Sequence, residues 1–457
     1  MKVNAYLITI FIIGAGLVNL INAQPVILNE VLQLNNAQPN YSARSAAVGG
    51  AYTSLGADIV SFYQNSAGLA MYRSTEVFYG PGLSFKNISS DFGGSRNREA
   101  NFLYEGGTGG IVITTKRNRS KLKYINYGFA FHRSKNNNYR KSYTGLDEYT
   151  DEYGNEIVLE LEENIATEGS RYSELAFAIA ANYNDKFFMG LNITTPRYIF
   201  NQEIDFSSRD INDIFYFSER NLTETYSIST DNSFSLGIGF VYKLNNNFRI
   251  GANAKTSSLL TMEEEYLSSE VEIDDYEYAT AVSNNILEYY VLRSTPQFNG
   301  GISYLNKKGF VSVDVGFINN KRYLFLDDNL TENEISDYRF EGNDLLRSIM
   351  KNSFLFKIGG EFVPNQNLRL RAGYNFTTSP LQNNDLYSGT HNISVGAGVR
   401  KAVFVTESNS RTVFADAALK YSFYKSQYEI FADLENGPLV DFKYNQLQLI
   451  TTFGFKF

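Results

Sequence analysis

Residues 447–457, LQLITTFGFKF, put Leu447, Leu449, Thr451, Phe453, Phe455 and Phe457 on one side of an extended chain. Gln448, Thr452, Gly454 and Lys456 fall on the other. One side is bulky and apolar, the other small or charged. A period of two describes a strand between two unlike surroundings. The same pattern returns with Leu175, Phe177, Ile179, Ala181 and Tyr183 against Ala176, Ala178, Ala180 and Asn182. It returns again at 234–243, 354–362, 368–376 and 413–423. In water this is a sandwich strand over a core; in a transmembrane barrel the apolar side meets lipid and the polar side lines the lumen.

Composition favours the barrel. Aromatic residues make up 15% of the chain, as 33 Tyr and 35 Phe with no Trp, which suits aromatic girdles at two membrane interfaces. After the N-terminus no stretch is apolar for 18 residues, so a membrane protein built from helices is excluded. The connections alternate in length. Tight turns rich in Asn, Asp and Gly stand at 184–186, 245–247, 306–309 and 365–367, with a slightly longer one at 406–410. Long polar segments lie near 201–230, 259–295, 320–351, 379–389 and 425–441. Short periplasmic turns and long outer loops are the outer-membrane pattern. Strands at 75–85, 109–115 and 124–133, added to those from Tyr172 onward, total about fourteen, within a range of about 12 to 16. The fold expected is an all-β, antiparallel transmembrane barrel. An even count puts both termini in the periplasm, and a terminal Phe457 in register with the outward face suits recognition by the barrel-assembly machinery.

The N-terminus reads differently. Lys2 followed by the apolar run 5–18 reads as a signal peptide over residues 1–23. Residues 24–74 do not alternate. A short helix is expected at 29–37, and 42–72 is dense in Ala, Ser and Gly while carrying Val48, Tyr52, Leu55, Ile59, Val60, Phe62 and Tyr63. An exposed tail would leave these apolar groups in water, so 24–74 is expected to fold as a helical hatch inside a barrel formed by 75–457. Charges on the inner face, Lys243, Arg249, Lys255, Asp314, Lys357, Glu361, Arg369, Arg371, Arg400, Asp416 and Lys420, line a water channel or pair with each other and with a plug.

The stretch ARSAAVGGAYTSLGADIVSFYQNSAGLAMYRSTEV (43–77) resembles the N-terminal region of the FadL/TodX family of outer-membrane transporters for hydrophobic compounds, in the branch found in Bacteroidetes-type bacteria. Arg44, Gly49, Gly50, Ala51, Gly56 and Asp58 match the family pattern. So do Asn65, Ala67, Gly68, Leu69 and Ala70 of its Asn-Pro-Ala-Gly-Leu turn, with Ser66 in place of proline. The resemblance implies a fourteen-stranded barrel closed by an N-terminal hatch. It implies passive uptake of long-chain fatty acids or aromatic hydrocarbons, released sideways through a gap in the wall. Arg44, Gly49, Gly50, Gly56 and Asp58 are then hatch-packing residues, and Asn65, Ser66, Ala67 and Gly68 the hatch turn. From the residues, Gly68 is expected to take a positive φ and Asn65 to cap. Losing the proline predicts a more mobile connection. Gly80, Pro81 and Gly82 are the candidate lateral gate, because proline cannot donate to a sheet ladder.

Other functions fit less well. A net charge of −8 with no basic block argues against nucleic acid. With no cysteine there is no disulfide and no thiolate metal site. No G-x-S-x-G elbow appears, so no enzyme is expected. His132, expected in the lumen, and His391, expected at an outer rim, are the only histidines, which gives haem binding little support. The acidic run 263–265 reads as solvated loop, where divalent ions bridging lipopolysaccharide could visit. No cofactor or resident metal is expected. The partners expected are a hydrophobic small molecule, outer-membrane lipid and lipopolysaccharide, with the protein a monomer. A PorV-like component of type IX secretion is the alternative, and a general diffusion porin the third reading.

Overall fold

A computed structural model describes residues 41–117, 121–135, 137–150, 156–212, 217–274, 279–326, 337–406, 409–429 and 438–457. The signal peptide and the helix expected at 29–37 lie outside these residues. The strands open with β1 (Glu76–Phe92), β2 (Ser95–Lys116), β3 (Leu122–Ser134), β4 (Tyr139–Thr150), β5 (Glu156–Thr167) and β6 (Arg171–Tyr183). Next come β7 (Phe187–Asp210), β8 (Phe217–Lys243), β9 (Phe248–Lys255), β10 (Leu259–Asp274), β11 (Ala279–Arg293), β12 (Gln297–Asn306) and β13 (Gly309–Ile318). They finish with β14 (Leu324–Leu326), β15 (Ser353–Phe362), β16 (Leu368–Thr377), β17 (Thr390–Thr406), β18 (Asn409–Glu429) and β19 (Leu439–Lys456).

The wall is antiparallel and closed. Pairing runs β1–β2–β3–β6–β7–β8–β9–β12–β13–β15–β16–β17–β18–β19, and β19 returns to β1. Closure leaves no free edge on the ring. Among the described residues no helix is long and apolar enough to cross a membrane. The ring traced by these pairings holds fourteen strands, and the sheet as a whole, among the described residues, holds nineteen, more than the about fourteen expected of the chain. The surplus comes from segments expected as loops or passed over. Hairpin β4–β5 leans on β7, and hairpin β10–β11 carries on from β8, above the wall. The acidic run Glu263–Glu265 is therefore strand, not loop.

Alternation divides the wall as the residues predict. Leu175, Phe177, Ile179, Leu236, Ile238, Phe354, Phe356, Leu447 and Phe453 all face outward and are exposed. Such a continuous apolar band around a barrel is a lipid-facing surface. The tight turn at 184–186 has Asn184 and Asp185 at φ 57° and 51°, the left-handed geometry of a two-residue hairpin. This turn and those at 245–247, 306–309 and 365–367 sit at one end of the barrel, whereas residues 407–408 of the turn expected at 406–410 lie outside the described residues. Thr75 and Phe457 meet at the same end, where the Phe457 amide donates to the Thr75 carbonyl at 2.9 Å.

The described part of the N-terminal segment is not the helical body expected. It holds one five-residue helix, α1 (Ala43–Ala47), and two 3-10 turns at Ile59–Phe62 and Ser66–Met71. Glycine and serine density explains this: such residues weaken helices but allow tight, irregular packing. A second helix, α2 (Asp337–Ile349), lies at the opposite, long-loop end.

Candidate functional site

Residues 42–72 lie across the lumen and touch the wall all the way round. The Ala43 amide donates to Thr452 of β19, the Gly49 amide to Ser394 of β17, and the Thr53 amide to Asp314 of β13. Wall asparagines in turn hold carbonyls of the segment. Asn126 of β3 donates to Leu69 (2.6 Å) and Tyr72, Asn192 of β7 to Phe62 (2.9 Å), and Asn375 of β16 to Gly49 (3.0 Å). These bonds give irregular backbone inside a barrel the partners it needs. Opposite the segment the wall presents Gly190, Gly251, Gly359 and Gly373, where a β-carbon would run into the backbone of Ser66, Thr53 and Val48. The small inner face of the sequence is thus the imprint of the chain seated against it.

The motif residues come together here. Asn65 caps the second 3-10 turn, accepting from the Ala67 amide at 3.1 Å while donating to the carbonyls of Thr53 (2.6 Å) and Phe240 (3.3 Å). Ala67 is fully buried between β7 and β8, and Ser66 is buried beside it with its hydroxyl unpaired among the described residues. Gly68 does not take a positive φ, contrary to expectation; Gly49 (65°) and Gly50 (73°) do. Gly68 is required instead by close approach, because it lies back to back with Gly56 and against Ser61. Asp58 caps the first 3-10 turn, accepting from the Val60 amide at 3.0 Å and the Ser42 hydroxyl at 2.7 Å. Burial pushes its carboxyl above the usual range, opposed by Arg44 and these two bonds. Arg44 reaches Glu361 at 3.4 Å, and Arg371 bridges Glu361 (2.7 Å) and Asp416 (2.6 Å). These inner charges pair with each other and with the seated segment. Between Arg44, Asp58, Glu76, Arg400 and Asp416 a cavity of about 10 Å³ remains, room for one water.

Above the seated segment lies a cluster that the sequence did not announce. Tyr41 and Tyr63 stack with centroids 3.9 Å apart and planes 3° from parallel. The Tyr41 hydroxyl donates to Glu174 at 2.9 Å, Tyr172 donates to the same oxygen at 2.6 Å, and Lys255 holds the other oxygen at 3.0 Å. His132 points inward as expected, meets Tyr41 edge-on at 5.0 Å, and pairs with Thr108 at 2.7 Å through Nδ1. His391 faces outward, stacked between Phe376 and Phe423. Towards the long-loop end an apolar cluster includes Leu260, Met262, Tyr290, Leu292, Phe325, Leu346 and Met350. Asn343 of α2 pins Phe325 through both its amide (2.8 Å) and its carbonyl (2.9 Å).

The wall beside His132 is thin. Gly80, Pro81 and Gly82 of β1 pair with Thr108, Gly107 and Gly106 of β2, and Gly109 and Gly110 follow. Pro81 faces outward between Tyr79 and Leu83. On the other edge of β1 the ladder passes from Tyr79–Phe453 to Gly82–Ile450, skipping Gly80 and Pro81. The Thr451 hydroxyl donates to the Pro81 carbonyl at 3.0 Å, so the strands stay in contact across the break. A second proline signals a second break. Pro196 in β7 interrupts the ladder with β8 between Thr194 and Ile199. There Thr230 takes the Tyr198 amide at 2.7 Å and Ser233 bonds the Pro196 carbonyl.

No family model and no curated protein matches the chain. Solved structures do. A Pseudomonas aeruginosa FadL homologue aligns at a TM-score of 0.59 and 11% identity over 92% of this chain and 98% of its own. The Pseudomonas putida toluene transporter TodX aligns at 0.54 and 12% identity over 91% and 98%. The Ralstonia pickettii toluene transporter TbuX aligns at 0.51 and 11% identity over 92% and 98%. The chain has the FadL/TodX-type membrane β-barrel fold over nearly its whole length.

Proposed function

We propose that the protein is an outer-membrane channel for passive uptake of hydrophobic small molecules, with both termini periplasmic. The observation that carries this reading is the glycine window around Pro81, set beside an aromatic lumen above a seated N-terminal segment. Apolar groups at the long-loop end favour capture of an apolar solute. The seated segment blocks a straight aqueous path. Backbone without side chains and with a broken ladder is the cheapest place to part the wall, so Gly80, Pro81 and Gly82 are the lateral gate. Release there is downhill, because an apolar solute moves directly from lumen to lipid. Residues 24–74 act as the hatch of this channel, with 1–23 removed on export. Phe457, at the end of β19, serves recognition by the barrel-assembly machinery.

Reconstitution in vesicles tests this. Uptake of toluene or oleate is expected to exceed that of empty vesicles, with little ion conductance. Steady conductance without selective uptake would favour a diffusion porin. Retention of neither compound, with co-purification of secretion components from cells, would favour the PorV-like role.

A further inference from the structure

We infer that Tyr41 occupies, with its own side chain, a slot for small planar phenols. The inference rests on the transport reading above and names its substrate class. Tyr41 is bound as a phenolic ligand would be. Its ring lies flat on Tyr63 at 3.9 Å, meets His132 edge-on at 5.0 Å, and its hydroxyl donates to Glu174 at 2.9 Å. The host side of the slot is buried: Glu174 is 1% exposed, His132 5% and Tyr63 6%. Tyr41 is itself only half-buried and stands just ahead of Ser42, the cap of α1. Rotating one side chain vacates the slot without disturbing the hatch.

Two further atoms point to a ligand. His132 Nε2 and the Tyr63 hydroxyl are buried and have no hydrogen-bond partner among the described residues. Unpaired buried polar groups are costly, and a second hydroxyl on an entering ring supplies a partner that the single hydroxyl of Tyr41 does not. Glu174 sets the selectivity. Its Oε2 accepts from Tyr41 and Tyr172, and Lys255 holds Oε1 at 3.0 Å. An occupant that cannot donate leaves a buried carboxylate oxygen short of a bond, and such sites discriminate strongly against analogues lacking the donor. Phenols therefore enter in place of Tyr41, whereas aryl ethers and plain arenes do so poorly. The Thr108–His132 pair places the slot beside the glycine window, on the path to lipid.

The test is calorimetric titration of the purified full-length protein with p-cresol, 4-methylanisole and toluene. P-cresol is expected to bind at one site, at least about tenfold tighter than its methyl ether. Tyr41→Phe keeps the stack but removes the internal competitor's hydrogen bond, and is expected to tighten p-cresol several-fold. A purely structural Tyr41 would lower the melting point and leave affinity unchanged. Glu174→Leu, which removes the acceptor, is expected to erase the preference for p-cresol, and Glu174→Gln, which keeps a neutral one, to reduce it. Equal binding of p-cresol and its ether, or unchanged affinity in Tyr41→Phe, overturns the slot while uptake of toluene leaves the transport reading standing. If none of the three compounds binds or crosses reconstituted vesicles, both fall.

Discussion

Asn65 shows how one side chain can join a plug to its wall. It caps the Ser66–Met71 turn and spends its amide on Thr53 and Phe240. Asn65→Ala is expected to cost about 2 kcal/mol, from the lost cap and the carbonyls left bare. The measurement is thermal unfolding together with protease cutting within 42–72, and an unchanged midpoint would count against it. Ser66 is the first residue of the turn, a position where proline is well tolerated and where the Ser66 hydroxyl makes no bond among the described residues. Ser66→Pro is expected to stabilise by about 0.4–1 kcal/mol by stiffening the unfolded chain, and to slow any hatch motion that uptake requires. No change in either melting or uptake would show that the serine has no bearing on mobility. The cap at Asn65 was readable because capping is local chemistry. The reason for Gly68 was not: its constraint is the contact with Gly56 and Ser61, which only the folded chain brings together. The cluster around Glu174 was hidden for the same reason, since residues 41, 132, 174 and 255 belong to four separate segments.

Strands that cross lipid were legible, and strands beyond it were not. In β6 or β19 one side faces hydrocarbon, so bulky apolar residues recur every second position. In β11, residues 279–287 are exposed on both faces, and nothing forces alternation. Such strands read as polar loops, which is why β10 and β11 were counted among the connections. The break in β1 was legible because proline is a local signal; the glycines of β2 facing it required the register. That register also refines the test of the gate. A side chain on Gly80 would run into the Thr451 carbonyl, whereas one on Gly82 meets the Glu105 side chain and the Leu449 carbonyl at ordinary contact distance. Replacing Pro81 and Gly82 together by threonine should restore the ladder donor missing at 81, stiffen the backbone at 82 and leave the barrel folded. Uptake of toluene is expected to fall several-fold with the melting point unchanged or raised. Wild-type uptake in that variant would remove β1 as the exit.

At the scale of the whole molecule, closure and plugging depend on each other. Removing residues 24–72 is expected to leave a barrel whose lumen conducts ions, seen as discrete steps in planar bilayers where the intact protein is quiet. A gentler version substitutes Gly359 and Gly373 by valine, which should push the segment around Val48 off the wall. Conductance in that double variant at full length would separate unseating from deletion. Absence of conductance in both would mean that wall side chains alone close the lumen.

The Ala43–Thr452 bond spans 409 positions and joins the segment nearest the N-terminus to the last strand. α1 packs on β16 through β19, whereas the Ser66–Met71 turn packs on β3 and β6 through β8. One half of the plug therefore has its seat as soon as the early strands exist, and the seat of the other half is incomplete until the final hairpin arrives. A barrel zipped shut between β1 and β19 offers the plug no way in from the side. If the growing sheet already holds the plug when the seam closes, the late strands are wrapped onto it. The N-terminal segment is then a mandrel for assembly before it is a barrier to flow. A chain truncated before β18 should be degraded with its first seventy residues accessible to protease, even though every contact of the Ser66–Met71 turn with β3, β6, β7 and β8 is encoded in what remains.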